Sequence, residues 1–240
     1  IEAVVKSEGK AKYALGSVLG HVLLHQTING NEAIQQMEQA GDYPDIIVGC
    51  TGGGSNLAGL MFPFLGQQLR GGQKIDIIGC EPLSCPSFTK GKYAYDHGDM
   101  ARMTPLIKMH ALGSDFLPPA NHSGGLRYHG MSYHLSHLYD LGLMRAKAYG
   151  QKDCFEAGVI FGKEEGIIPA PEGNHAVKGA IDAALECKAK GESKTILFNL
   201  CGHGHFDMTA YDDYFSGRLA DDFYDEETAN QSLSKLPEIG

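Results

Sequence analysis

The amino-acid sequence predicts an α/β protein with an open, mostly parallel sheet and helices on both faces. Three short apolar runs, at 45–50, 75–80 and 194–201, are rich in β-branched or aliphatic residues and end in cysteine. Such runs are typical of strands buried on both faces. A glycine-rich loop and a helix connect the first run to the second, which makes a βαβ unit with an expected right-handed crossover.

Hydrophobic spacing and helix-end signals predict the remaining elements. The segment 81–140 is rich in Gly, Pro, His and Tyr, and its weak periodicity is more typical of a functional region than of a linker. Residues 1–220 are interpreted as one α/β domain, and 221–240 as an acidic polar tail that is expected to be frayed or disordered. The expected helices are 11–39, 56–69, 152–165, 175–190 and 206–219, with a further strand at 143–149.

Composition excludes several classes of protein. The formal net charge is −9, which argues against a nucleic-acid binder because such binding requires clustered Lys and Arg. No apolar run is long enough to span a membrane. The six cysteines include no CxxC pair and indicate reduced thiols in a cytoplasmic protein. His21 and His25 share a helix face, but no further ligand is identifiable, so no metal site is expected.

The motif with the clearest chemistry runs from Thr51 to Asn56 and contains three consecutive glycines. It lies between a strand end and a helix start, where backbone N–H groups and the helix dipole favour an anion. Ser55 and Asn56 can cap the helix or donate to that anion. The spacing fits neither a Walker loop nor a dinucleotide-binding loop. The alternative is a tight turn with a serine cap and no ligand.

Two further loops have similar positions. The first, 165–176, contains Glu172 at a helix start, where an acidic residue is favoured by the dipole alone. The second, 199–207, follows the last predicted strand and contains Cys201 and Gly202. Because ligands of open parallel sheets bind outside the carboxyl ends of the strands, all three loops are expected at one rim.

Three segments, GCTGGGSN, EEGIIPAPEGNHA and NLCGHGHFDM, resemble the tryptophan synthase beta family of fold-type-II pyridoxal-phosphate enzymes in their order and separations. The segments 115–130 and 12–26 are similar to the second, longer-chain branch of that family. The common branch typically has an aspartate where Arg127 stands. The resemblance covers nearly the whole chain, to about Leu219.

The resemblance implies roles for individual residues. The cofactor is pyridoxal 5'-phosphate, and a monovalent cation near the glycine loop is left open. Cys201 replaces the serine that usually bonds the ring nitrogen, and a thiol is the weaker hydrogen-bonding group. Arg127 lies in the substrate-closing region, although a surface ion pair is an equal alternative. The implied cofactor-binding residues are Gly52, Gly53, Gly54, Ser55 and Asn56 for the phosphate, and Glu172, Cys201 and Gly202 around the ring.

The resemblance implies that the intact enzyme makes L-tryptophan from L-serine and indole by β-replacement, as a homodimer that an alpha subunit could join. The Schiff-base lysine is expected upstream of Ile1, because no His-Lys segment of the family type occurs in this sequence. The chain begins without an initiator Met, so an amino-terminal truncation and an inactive fragment are expected. Two alternatives stay open, a serine or threonine deaminase and a non-catalytic half that needs a partner.

Overall fold

Four parallel strands form the sheet on which the rest of the chain packs, in the order β5-β2-β1-β6. The computed structural model describes residues 1–14, 16–221 and 223–238. The strands are β1 Ile46–Cys50, β2 Asp76–Pro82, β3 Lys92–His97, β4 Leu106–Ala111, β5 Arg145–Tyr149 and β6 Ile196–Phe198. The helices are α1 Glu2–Lys6, α2 Gly20–Ala40, α3 Ser55–Leu69, α4 Tyr133–Asp140, α5 Gln151–Glu165, α6 Pro171–Lys190, α7 Met208–Phe215 and α8 Glu226–Leu233.

Helices cover both faces of this sheet. Ile47 of β1 points to the face covered by α2 and α3, where it joins a buried cluster that includes Phe64. Val48, the next residue, points to the opposite face and packs with Ala183 of α6. This alternation of buried side chains explains why the strands have continuous apolar sequences. The predicted open parallel sheet with helices on both faces is confirmed.

The first long helix starts later than the sequence predicts. A helix was expected from residue 11, but α2 begins at Gly20, so the prediction is wrong over the described part of 11–19; Leu15 lies outside the described residues. Ser17 has a positive φ of 73°, which no α-helix accommodates. The segment before α2 instead packs against the glycine loop, and tertiary contact overrides the helical spacing.

The middle segment contains more regular structure than expected. Strands β3 and β4 form an antiparallel pair with Tyr93 opposite His110, and α4 follows with Ser132 as its cap. The pair is only partly buried, so its sequence lacks the apolar runs that identify the parallel strands. This segment lies against the carboxyl-end rim through residues 124–132.

The predicted tail also differs from expectation. Helix α8 is capped by Asp225, whose side chain accepts from the Thr228 N–H. Ala229 is fully buried against Leu112 and Phe116. The expectation of a frayed tail is therefore wrong for 226–233, because one small apolar face is enough to dock this polar helix. Asp222, Ile239 and Gly240 lie outside the described residues.

Candidate functional site

The carboxyl ends of β1 and β6 and the start of α6 meet at one rim of the sheet. Cys50 ends β1, and its sulfur lies 3.4 Å from the Cys201 sulfur in the loop after β6. Pro169, just before α6, forms an isolated bridge with His203 of that same loop. The three loops singled out in the sequence therefore lie side by side, as the sheet topology predicted.

The glycine loop presents backbone donors at the start of α3. Gly54 is the N-cap, with a φ of 97°, and no side chain caps the helix. Ser55 is the first helical residue rather than the cap, which corrects the alternative of a serine-capped turn. The first N–H groups of an α-helix have no partner within the helix, and the dipole adds positive potential. Such a donor set fits a phosphate.

The loop is held so tightly that side chains are excluded. A Cβ at Gly53 would lie 1.9 Å from the Ser17 hydroxyl oxygen and 2.8 Å from the backbone nitrogen of Val18. A Cβ at Gly52 would lie 2.6 Å from the carbonyl oxygen of Gly125. The Ser132 N–H donates to the Gly53 carbonyl at 3.0 Å. Segments on both sides thus fix the loop, so its donors are preorganised.

Glu172 connects two of the surrounding segments. It is the second residue of α6, and its Oε1 accepts a hydrogen bond from the Gly125 N–H at 2.8 Å. Gly125 lies in a short 3-10 helix, Gly124–Leu126. The carboxylate therefore does more than complement the helix dipole, since it ties the middle segment to the rim. Its predicted position beside a cofactor ring stays a prediction.

The two rim thiols share a hydrogen bond. Cys50 is buried, and its single S–H lies within reach of two acceptors, the Cys201 sulfur and the Asn56 Oδ1 at 3.7 Å. The bond between the thiols and the burial of Cys50 raise the pKa of Cys50 well above its usual value. The same bond lowers the pKa of Cys201. Cys201 is thus the sulfur that more readily becomes a thiolate, and it is the more accessible of the two.

Gly202 sets the direction of the loop after β6. Its φ is 71°, a left-handed conformation that favours glycine over any other residue. Its carbonyl accepts a hydrogen bond from the Ala170 N–H at 3.4 Å. The turn therefore joins the loop of Cys201 to the start of α6.

Arg127 lies at the edge of this arrangement. It is exposed, and its Nη2 donates to the Pro118 carbonyl at 2.5 Å. Within residues 1–14, 16–221 and 223–238 it makes no ion pair, so the surface ion-pair alternative finds no support there. Its predicted contact with a substrate carboxylate stays a prediction.

A network of uncharged polar side chains holds the segment 169–172 at the start of α6. The Tyr211 hydroxyl donates to the Pro169 carbonyl at 2.7 Å, and the Asn174 amide donates to that hydroxyl at 3.1 Å. His175 is buried, and its Nδ1 lies 3.0 Å from the Pro171 carbonyl. Burial lowers the pKa of His175 to about 4, so the imidazole is neutral at physiological pH. The network fixes the segment 169–172 without adding charge.

Sequence reasoning missed several contributors to the rim. The sequence pattern places Cys50 at the end of an apolar run, but it assigns this cysteine no role, although its position next to the glycine loop is visible in the sequence. Gly125 and Ser17 could not be found in this way, because they reach the rim from distant segments. A cavity of about 680 Å³ opens beside these residues and is lined by Ser17, Val18, Thr104, Gly125, Tyr128 and Met131.

Over the described helices, none combines the length and the apolar character needed to cross a membrane. Within the same residues, no group of three or more His, Cys, Asp or Glu side chains could hold a metal ion. The carboxyl-end rim is the place where the residues present fit a cofactor. The buried Thr51 hydroxyl at this rim has no hydrogen-bond partner in the part of the chain that the structure describes.

Comparison with known proteins identifies the class. A family model described as "Pyridoxal-phosphate dependent enzyme" matches residues 17–202, so the chain belongs to that family, whose cofactor is pyridoxal phosphate. Within it, the "Tryptophan synthase beta chain 2" of Methanosarcina mazei is 58% identical over 87% of this chain and 47% of its own length. A protein of the same name from Aquifex aeolicus is 57% identical over 90% of this chain and 50% of its own length. The resemblance to the tryptophan synthase beta family is confirmed.

Solved structures agree on the fold. An L-serine ammonia-lyase from Rhizomucor miehei aligns with a TM-score of 0.63 and 14% identity, over 90% of this chain and 64% of that chain. An O-acetyl serine sulfhydrylase from Entamoeba histolytica aligns with a TM-score of 0.60 and 14% identity, over 96% of this chain and 56% of that chain. At this identity the likeness establishes the fold alone. The chain spans about half the length of the curated relatives that it matches.

Proposed function

We propose that this chain is the cofactor-binding part of an enzyme that makes L-tryptophan from L-serine and indole by β-replacement. The observation that carries the proposal is the carboxyl-end rim, where the glycine loop adjoins Glu172 and Cys201. Relatives that are 50–58% identical and named tryptophan synthase beta chain support it. Because the chain spans half of their length, the reaction belongs to the whole protein.

The residues of the rim have distinct proposed tasks. The N–H groups from Gly52 to Asn56 bind the phosphate of pyridoxal phosphate, which the uncapped start of α3 favours. When bound, the cofactor supplies the electron sink for bond cleavage at the substrate α-carbon. The Cys201 thiol is directed at the ring nitrogen, and the turn at Gly202 positions the loop that carries this thiol. Since a thiol is not a carboxylate, it leaves that nitrogen unprotonated. Glu172 holds the wall of the pocket through Gly125.

The cavity beside the glycine loop is the proposed place for the substrates. Its volume of about 680 Å³ lies in the range of small-molecule sites, and its lining includes Met131 and Tyr128, which suit an aromatic nucleophile. Arg127 is proposed to contact the substrate carboxylate after a movement that releases Pro118. The proposed partners of the whole protein are a second copy of itself and an alpha-type subunit, in the cytoplasm, and a monovalent cation near the glycine loop is part of the proposal.

The Schiff-base lysine is proposed to lie in the region of the relatives that this chain does not match. Several lysines of the chain are engaged in ion pairs away from the rim, such as Lys147 with Glu186 and Lys194 with Asp45. Lys178 pairs with Asp182 within α6. The chain alone is therefore proposed to bind the cofactor non-covalently and to lack activity.

A chimera tests the function. This chain would replace the matched region of the Methanosarcina mazei relative, and the product would be assayed with pyridoxal phosphate, L-serine and indole. The expected result is L-tryptophan formation, which a second chimera carrying Gly53→Val loses. Release of pyruvate without tryptophan would favour a serine deaminase instead. A folded chimera that binds the cofactor and yields neither product would overturn the proposed reaction.

A further inference from the structure

Cys50 and Cys201 are placed for covalent bonding to each other. Their sulfurs lie 3.4 Å apart, and a disulfide requires an approach to about 2.05 Å. Cys50 ends β1, and Cys201 lies in the loop that follows β6, the neighbouring parallel strand. Because Cys201 lies in a loop rather than in a strand, the observed approach of the two sulfurs, and not strand register, is the observation that supports a bond between them.

We propose that Cys50 and Cys201 form a modification site, which a peroxide converts into an intramolecular disulfide at the wall of the cofactor pocket. Attack begins at Cys201, because it is only partly buried whereas Cys50 is 2% exposed. The hydrogen bond from Cys50 also favours the thiolate of Cys201. Among the described residues, this is the one pair of cysteine sulfurs within hydrogen-bonding distance.

The proposed oxidation of the two thiols by hydrogen peroxide takes place in two steps. The Cys201 thiolate attacks hydrogen peroxide, an S–O bond forms and the O–O bond breaks, leaving a sulfenic acid and hydroxide. The Cys50 sulfur then attacks the sulfenic sulfur, the S–O bond breaks, and the Cys50 proton leaves with the hydroxyl group as water. Two thiols and one peroxide thus give one disulfide and two waters.

The remaining cysteines are unsuited to this reaction. Burial raises the pKa of Cys80 to about 12 and that of Cys85 to about 12, and it raises the pKa of Cys154 well above its usual value. A thiol that stays protonated is a poor nucleophile towards peroxide. The Cys85 thiol also donates to the Tyr128 carbonyl at 3.2 Å. Cys187, the fourth of these cysteines, is buried and has no second cysteine sulfur within hydrogen-bonding distance among the described residues. Disulfide formation is therefore expected at the rim pair.

The consequence for the cofactor rests on the proposed function. A disulfide removes the Cys201 thiol as a partner for the ring nitrogen, and it withdraws Cys50 from Asn56 beside the phosphate loop. We expect the affinity for pyridoxal phosphate to fall about 10-fold on oxidation, the loss of roughly one hydrogen bond to the ligand. Reduction with a dithiol should restore the affinity, because no other group has changed.

The test uses the 240-residue chain in its reduced state. The protein is treated with hydrogen peroxide, denatured, alkylated and analysed by intact mass and peptide mapping. The expected result is a species with two fewer alkylated thiols and a linkage between the peptides of Cys50 and Cys201. Cys201→Ser should retain all its remaining thiols, whereas the control Cys187→Ser, in the buried part of α6, should lose two as the parent does.

A trivalent arsenical, which bridges two close thiols, provides a test that requires no variant. Phenylarsine oxide should bind the reduced parent with a stoichiometry of one and protect it from disulfide formation. Unchanged alkylation after peroxide, or a linkage through other cysteines, would overturn the inference even if the reduced chain binds pyridoxal phosphate. A disulfide in a chain whose reduced form does not bind pyridoxal phosphate would support the modification site and overturn the proposed function.

Discussion

The two ends of the parallel sheet differ in how their polar groups are satisfied. At the amino ends of the strands, charged side chains pair with one another: Asp76 bonds Arg145 at 2.7 Å, and Lys194 lies 3.5 Å from Asp45. At the carboxyl ends, the chain provides glycines, two thiols and a helix start without a side-chain cap. At the amino-end rim these charged side chains are paired with each other, whereas at the carboxyl-end rim backbone N–H donors stay available for a ligand.

Whether a polar group already has a partner separates structural residues from ligand-binding residues better than the mere presence of a charged side chain does. A charge that already has a partner stabilises the fold slightly and has little capacity left for a ligand. Backbone donors that the fold has oriented but not used are preorganised for an anion. The contrast predicts that changes at the carboxyl-end rim affect cofactor binding, whereas changes at the amino-end rim affect stability alone.

The largest effect is expected from Gly53→Val. The new side chain would overlap the Ser17 hydroxyl and the Val18 backbone, so the segment before α2 must move and the phosphate donors are displaced. We expect the affinity for pyridoxal phosphate to fall about 100-fold, the upper end of typical overpacking costs. Fluorescence titration with the cofactor measures this loss.

Gly66→Ala, within the helix α3 that follows the glycine loop, is the matched control. A Cβ there meets only the flexible Arg70 side chain, at 3.4 Å, and alanine is the better helix former. Its affinity should equal that of the parent, with equal or higher thermal stability. If Gly53→Val bound the cofactor as tightly as Gly66→Ala, the glycine loop would not be the phosphate site.

An effect of similar size concerns pH and the buried His175. Burial depresses its pKa from the usual 6.5 to about 4, so its contribution to stability is complete above pH 6.5. As the pH falls towards 4, the unfolded chain takes up the proton first and about 3 kcal/mol is lost. Denaturant unfolding of the parent and of His175→Gln at several pH values should show this loss as a change in the difference between their two unfolding free energies. His203→Gln, at an exposed histidine of the same rim, should behave like the parent.

Glu81 is expected to act in the opposite direction. It lies at the end of β2, and burial raises its pKa from 4.5 to about 7, despite hydrogen bonds from Thr89 and Phe88. Its contribution is therefore complete below pH 4.5 and decreases by about 3 kcal/mol as the pH rises to 7. The two groups nearly cancel between pH 4.5 and 6.5 in the parent. An unfolding free energy of His175→Gln that did not decrease over this interval would contradict the assignment.

Sequence reasoning succeeded where a local pattern determines the structure. The apolar runs defined the strands, and the glycine triplet placed the start of α3 within one residue. It failed where contacts between residues far apart in the sequence determine the backbone conformation. The segment before α2 has helical spacing, but Ser17 adopts a left-handed conformation against Gly53, and no local signal specifies that contact.

In the candidate site, too, the residues that belong to local motifs could be predicted and the contacts between distant segments could not. Gly52 to Asn56, Glu172 and Cys201 belong to motifs and were identifiable, and the sheet topology placed them together. The bond from Gly125 to Glu172 joins residues 47 positions apart, and the Cys50–Cys201 contact joins residues 151 positions apart. The second could have been inferred only in part, because the sheet topology brings the end of β1 near the loop after β6, but Cys201 lies three residues beyond the end of β6, where strand register no longer fixes a side chain. The first could not, because the middle segment has no register with the sheet.

A smaller effect is expected from Glu172→Ala. Loss of the carboxylate removes the acceptor of the Gly125 N–H, and a hydrogen bond to a charged group contributes roughly 1.5 kcal/mol. Hydrogen exchange of the Gly125 amide should therefore accelerate about 10-fold while global stability changes little. Glu172→Gln retains an oxygen acceptor and should show a smaller acceleration. Equal exchange in the parent and in Glu172→Ala would mean that the contact does not hold the middle segment.

The smallest effect is expected at the amino-end rim, from Asp76→Asn. Asp76 and Arg145 have side chains 44% and 39% exposed, and ion pairs at such sites contribute at most about 1 kcal/mol. The stability difference from the parent should shrink in high salt, because exposed charges are screened. A double-mutant cycle with Arg145→Gln would isolate the energy of the pair.

Cofactor affinity should not change in Asp76→Asn, and the reason is distance. Asp76 begins β2 and Glu81 lies five residues further along the same strand, so roughly 16 Å separate the two rims. This exceeds the screening length of about 8 Å at physiological ionic strength. A charge removed at one rim is therefore hardly felt at the other. A clear change in the affinity of Asp76→Asn for pyridoxal phosphate would mean that the sheet transmits strain between its ends, and the separation of roles between the two rims would have to be abandoned.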